Sequence, residues 1–210
     1  MMTNSYWLPR RKAVLCRAMG ATFLVAALVM GIVIAVAGIS PGASPICGGD
    51  APCAWRARPT QLLDQDVRVA VLATPAALRT FEAYVARPDV RLGLAAVEAI
   101  NLGPFALLLA GVGLALRRLG GNGGPDALPR ALRWLRVSAI AALVWALTSP
   151  VYDSLLATVL SPGTPNGEKI ELYIYLDKIG GGLLLALAAY ATIWAIEAGF
   201  EARRDLDSFV

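Results

Sequence analysis

Histidine is absent from the 210 residues, cysteine occurs three times, and only 16% of the chain is charged. Without histidine, haem ligation by an imidazole, histidine zinc sites and histidine-based triads are excluded, and an acid pair inside a membrane is the enzymatic arrangement left open. No catalytic, metal or cofactor motif stands out. The expectation is therefore a non-enzymatic protein with no cofactor. Gly120-Gly121-Asn122-Gly123-Gly124-Pro125 is glycine-rich, but it lacks the preceding strand and the Gly-Lys-Ser/Thr ending that cradle a nucleotide phosphate.

What the chain has is apolar surface: 57% of its residues are hydrophobic, against roughly 45–50% in soluble domains. The net charge is +4 and the pI about 9.2, yet the arginines flank apolar runs and do not form one basic face, so nucleic acid is not the expected partner. The lipid bilayer is. Another membrane or regulatory protein is a second expected partner.

Arg10, Arg11, Lys12 and Arg17 precede a charge-free run over residues 18–39, long enough at 1.5 Å per residue to cross about 30 Å of hydrocarbon. A cleaved signal peptide competes with this reading, because Ala35-Val36-Ala37 resembles a cleavage site, but the apolar region exceeds the usual 7–15 residues. A lipoprotein signal fits less well, since Cys47 lies beyond the run. The pattern predicts an all-α integral membrane bundle of four transmembrane helices over about 14–39, 92–116, 137–160 and 172–196. A structured outer loop, 40–91, follows the first span, and a cytoplasmic tail covers 197–210.

Within the outer loop, residues 66–72 alternate loosely and predict a short strand. Thr74-Pro75 then supplies an N-cap and a first-turn proline for a short amphipathic helix with Leu78, Phe81 and Val85 on one face. Residues 120–125 read as a hinge and 161–167 as a proline-stiffened turn. Pro104 and Pro150 are expected to kink their spans.

The basic residues set the orientation. Arg10, Arg11, Lys12, Arg17, Arg117, Arg118, Arg130, Arg133, Arg136, Arg203 and Arg204 cluster against span ends on one side, while the basic residues of 40–91 are spread out and balanced by acids. This places both termini in the cytoplasm. Cys47 and Cys53 then lie in an oxidising compartment, where a disulfide closing a small loop is expected, with two unpaired thiols as the alternative. Cys16 is expected to stay reduced.

Ionisable groups in hydrocarbon mark a pathway, a partner or an interhelical link. Glu98, Asn101, Tyr152, Asp153, Asp177 and Lys178 fall at similar depth toward the outer leaflet and are the candidate intramembrane polar cluster, either a water-accessible vestibule or a set of structural hydrogen bonds. Ala27, Gly31 and Ala35 in the first span, and Gly182 and Ala186 in the fourth, repeat at four-residue spacing and predict close helix packing, with a homodimer as the alternative use of the same motif.

The four-span pattern, the long first loop and the tail Gly199-Phe200-Glu201-Ala202-Arg203-Arg204-Asp205-Leu206-Asp207-Ser208-Phe209-Val210 resemble the bacterial DUF2975 family of uncharacterised membrane proteins. The resemblance implies a multi-pass protein of the bacterial inner membrane with no established activity. Members commonly end in a charged stretch and a hydrophobic pair; here the stretch is less acidic. A sensing or regulatory module is the expected role, and a small cation- or proton-coupled transporter or channel subunit is the alternative.

Overall fold

The computed structural model describes residues 9–48, 51–121, 127–170, 172 and 176–208. Helix α1 spans Arg10–Ile39, strands β1 and β2 span Ser44–Gly48 and Ala51–Arg56, and helices α2 and α3 span Gln65–Leu72 and Pro75–Val85. Helix α4 covers Pro88–Leu119, α5 Ala127–Thr148, α6 Tyr152–Leu160 and α7 Leu176–Ser208. The chain is mostly helical.

Three helical stretches among the described residues are long and apolar enough to cross a membrane: Arg10–Ile39 with 30 residues, Pro88–Leu119 with 32, and Ala127–Gly163 with 37. The third is α5 and α6 joined and closed by single 3-10 turns, Ser149–Val151 and Ser161–Gly163. Buried Pro150 sits in the first of those turns. Its missing N–H and its ring break the regular ladder there. Pro104, by contrast, lies inside α4, which is helical on both sides of it. The fourth expected span falls on α7, whose apolar stretch among the described residues is Gly182–Ile196.

The helices carry apolar side chains outward. Leu28, Ile32, Leu107, Ile140 and Leu187 are all exposed. Leaving such a side chain in water in place of burying it costs about 1.5–3 kcal/mol. Hydrocarbon removes that cost, so this surface fits membrane insertion.

Contacts divide the chain into two compact units. The first comprises α1 up to Val29, α4 from Pro104, α5 up to Leu147, and α7. Small residues bring its helices together. A Cβ placed on Gly20 of α1 would lie 2.8 Å from the Gly113 carbonyl of α4, and one on Gly113 would lie 2.9 Å from the Gly20 carbonyl. Gly111 gives the same close approach to Ser138 and the Trp134 carbonyl of α5, and Gly182 of α7 meets Ala146 of α5. The rings of Phe105 and Trp145 add a tilted aromatic contact at 5.1 Å.

The second unit comprises α1 from Met30, the hairpin, α2, α3, α4 up to Gly103, α6 and the turn that follows. Its core is Leu63, Val71, Phe81, Val85, Val90, Leu94 and Leu160. The amphipathic helix expected after Thr74 is α3: the Thr74 side chain accepts from the Ala77 N–H at 3.3 Å, Phe81 and Val85 are buried, and Arg79 and Glu82 are exposed. The strand expected over 66–72 is corrected to helix α2. Val67 and Val71, four residues apart, turn to the core, while Val69 and Leu72 are exposed. The run that alternates loosely also satisfies a helical period, and packing against α3 selects the helix.

Gly42 makes the exit from α1 work. It adopts φ +65°, and any Cβ there would overlap the Arg58 carbonyl, whose N–H donates to the Gly42 carbonyl at 3.3 Å. Glycine alone is easy in that conformation. The start and end of the hairpin segment are thereby tied together.

Candidate functional site

A cavity of about 280 Å³ opens in the second unit between α2, α6 and the turn after α6. Its wall carries Asp64, Arg68, Asp153 and Lys169 alongside Leu62 and Leu156. Both signs of charge meet there.

The local structure explains how these groups are presented. Arg68 is fixed from α2 by three backbone acceptors: Nε donates to the Thr60 carbonyl at 3.0 Å, and Nη2 to the carbonyls of Gln61 at 3.2 Å and Leu63 at 2.8 Å. Its charge is thus held against the turn Pro59–Leu62 and at the cavity wall. Asp64 occupies the N-cap position of α2. Asp153 stands in the first turn of α6.

The far wall is organised by Ser161. Its hydroxyl lies 3.1 Å from the Lys169 carbonyl and accepts from the Lys169 N–H at 3.3 Å, while Thr164 Oγ1 donates to the Ser161 carbonyl at 2.8 Å. These bonds close the loop that Gly167, at φ +72°, turns back on itself. Lys169 is carried to the cavity rim as a result.

Tyr84 anchors the same turn to α3. Its hydroxyl donates to the Val159 carbonyl at 2.9 Å, and its ring covers Gly163, where any side chain would overlap it. Burial pushes the Tyr84 hydroxyl's pKa above its ordinary 10.0. At the head of α4, Arg87 donates to both carboxylate oxygens of Asp89, at 3.1 and 2.6 Å.

A second cavity of about 190 Å³ is lined by the end of α1, Leu94, Glu98 and Tyr152. Tyr152 donates to Glu98 Oε2 at 2.9 Å. Leu62 and Leu156 line both cavities, so two apolar side chains partition the mixed-charge chamber from the Glu98–Tyr152 pair. Adjacent residues on α6 point about 100° apart, which sends Tyr152 to one chamber and Asp153 to the other.

Of the expected polar cluster, the structure therefore brings Glu98 and Tyr152 into direct contact and puts Asp153 in the neighbouring cavity. Asn101 is half-buried in α4. Asp177 and Lys178 belong to α7, and their side chains lie outside the described residues. Cys47 is on β1 and Cys53 on β2, which pair antiparallel with Ile46 opposite Ala54; both cysteine side chains lie outside the described residues. Cys16 is a free thiol.

The small-residue faces divide. Gly182 and Ala186 are packed, with Ala186 buried, whereas Gly31 meets open space and Ala35 is exposed; Ala27 is half-buried. On α1 the close approaches are made by Gly20 within the first unit and by Gly38, against Ala95, within the second.

Sequence reasoning missed Asp64, Arg68 and Lys169 as members of a site. They read as dispersed loop charges, and no spacing signal links positions about a hundred residues apart. No cluster of three or more potential metal ligands occurs among the described residues.

The fold and these cavities define a class: a mostly helical protein with three helices of membrane-crossing length and a compact second unit that holds a mixed-charge cavity. Comparison with protein-family models, curated proteins and solved structures finds no match to this chain.

Proposed function

We propose that this chain is a multi-pass protein of the bacterial inner membrane, with both termini in the cytoplasm, that works as a non-enzymatic sensing or regulatory module. In this reading α7 supplies a fourth span, the residues between the first two spans face the outside, and Cys47 and Cys53 form a disulfide there. The resemblance to the DUF2975 family and the clustering of arginine at span ends support it. The input is a small polar ligand received by the second unit, and the output is a contact made by the 117–136 connection and the tail.

The observation that carries this reading is the cavity walled by Asp64, Arg68, Asp153 and Lys169. Its volume, about 280 Å³, lies just under the usual range of ligand pockets, and the presence of both signs of charge suits a small dipolar or zwitterionic molecule. The test is thermal unfolding of the detergent-purified chain against a set of small amphoteric compounds. A compound that raises the melting temperature of the wild type but not of Asp153→Asn supports a sensor. No stabilisation by any compound, in protein whose variant and wild type melt alike, counts against it.

The Glu98–Tyr152 hydrogen bond favours a second reading, a proton or cation conduit gated by Leu62 and Leu156. Flux into proteoliposomes that Glu98→Gln abolishes and tail truncation leaves intact supports the conduit. Signalling lost on tail truncation, without flux in either protein, supports the sensor.

A further inference from the structure

Within the first unit, a crevice of about 420 Å³ is lined by Arg118, Arg130, Arg133, Trp134 and Val137. We propose that this crevice holds the phosphodiester headgroup of an anionic phospholipid of the cytoplasmic leaflet, a proposal that rests on reading α4 and α5 as membrane spans with their connection inside.

Four of these residues share one face of α5. Arg130, Arg133, Trp134 and Val137 follow one another at spacings of three, four and seven from the first, which places them side by side on the helix surface. Arg118 comes from the last turn of α4. The two helices are held close where Gly111 meets Ser138. The crevice opens on the side of that crossing toward the end of α4 and the start of α5.

Three arginines from two helices line this space. A guanidinium presents a planar fork of donors that matches two oxygens of a phosphate, so the chemistry recognised is a phosphate monoester or diester. Arg130 is also only the fourth residue of α5, where a cation opposes the positive end of the helix dipole. An anion seated there would be attracted by both.

The apolar floor decides between a lipid and a free phosphate. Trp134, 37% exposed, and Val137, 40% exposed, share the face of α5 that carries Arg130 and Arg133. Tryptophan concentrates at the level where headgroups meet acyl chains, and an exposed valine beside it suits the first methylenes of a chain. A site for inorganic phosphate gains nothing from either. A basic crevice between spans on the cytoplasmic side is the arrangement that anionic headgroups favour.

The experiment uses the full chain, purified and delipidated in neutral detergent, with lipid binding counted by native mass spectrometry. Phosphatidylglycerol is expected to bind at concentrations where phosphatidylcholine does not, and each arginine replaced by glutamine is expected to weaken it about fivefold. Arg118→Lys, Arg130→Lys and Arg133→Lys keep the charge without the fork; an intermediate loss in that triple variant supports recognition of phosphate geometry and serves if the glutamine variants fail to fold. Equal binding of the two lipids overturns the proposal. So does full displacement of the lipid by inorganic phosphate or glycerol phosphate, which makes the ligand a free phosphate. A chain carrying Gly121→Cys and Cys16→Ser, studied in intact cells, separates the two layers of inference. Labelling of the thiol introduced at position 121 by an impermeant reagent from outside overturns the orientation, whereas labelling only after permeabilisation with no lipid preference overturns the lipid site alone.

Discussion

Tyr152 at the start of α6 donates its hydroxyl to Glu98 Oε2 of α4 at 2.9 Å, a bond between residues 54 positions apart in sequence. Tyr152→Phe removes the donor and keeps the ring. The expected loss is about 1 kcal/mol, within the range of interhelical hydrogen bonds in membranes. A double-mutant cycle with Glu98→Gln, read by unfolding in mixed micelles, is expected to show coupling; strictly additive effects would mean the bond carries no energy of its own.

Tyr84 predicts a dependence on alkaline pH. Its ionisation is raised above 10.0 by burial, so the folded chain keeps this proton after the unfolded chain has lost its own. The stabilisation is fully present below about pH 10, the unfolded value, and is lost as pH rises from there through the folded value. Tyr84→Phe, which also loses the bond to the Val159 carbonyl, should cost about 1 kcal/mol at pH 8. The gap in melting temperature between the two proteins should narrow above pH 10, and a gap of constant width would contradict the argument.

The glycines should sort by what surrounds them. Gly163→Ala pushes a methyl group into the Tyr84 ring and Gly20→Ala pushes one against the backbone of α4, each expected to cost about 1–3 kcal/mol through overpacking. Gly31 has nothing within 4 Å of an added Cβ, so Gly31→Ala should be neutral or stabilise by up to about 1 kcal/mol through helix propensity. Thermal unfolding of the three variants side by side checks the order.

Thiol labelling tests the proposed orientation. In intact cells, Cys47 and Cys53 are expected to react with an impermeant reagent only after reduction, as an oxidised pair outside would, while Cys16 reacts only after permeabilisation. Reaction of Cys47 and Cys53 without reductant and only in opened cells would invert the orientation.

Much of the helical layout could be read from the sequence. The charge-free run within α1 and the Thr74-Pro75 start of α3 both carry local signals, of length in one case and of capping in the other. Residues 66–72 carry no such deciding signal. Their alternation fits two periods, and only the contact with α3 and the pinning of Arg68 to Thr60, Gln61 and Leu63 selects a helix. The cavity was harder still, because Arg68, Asp153 and Lys169 come from three separate segments.

The sequence by itself determined how much of this chain is apolar, where its long helices lie, and where its arginines gather against their ends. Those properties depend on composition and on neighbours within a few residues. Only the tertiary structure decided which face of each helix meets another. Apolar residues surround a helix suited to hydrocarbon, so periodicity no longer marks an inner face, and the rotation is set by the few places where backbones can touch. That is why Gly20 and Gly38 rather than Gly31 became the close approaches to α4, and why Tyr152 found Glu98 while the next residue, Asp153, turned to a different cavity.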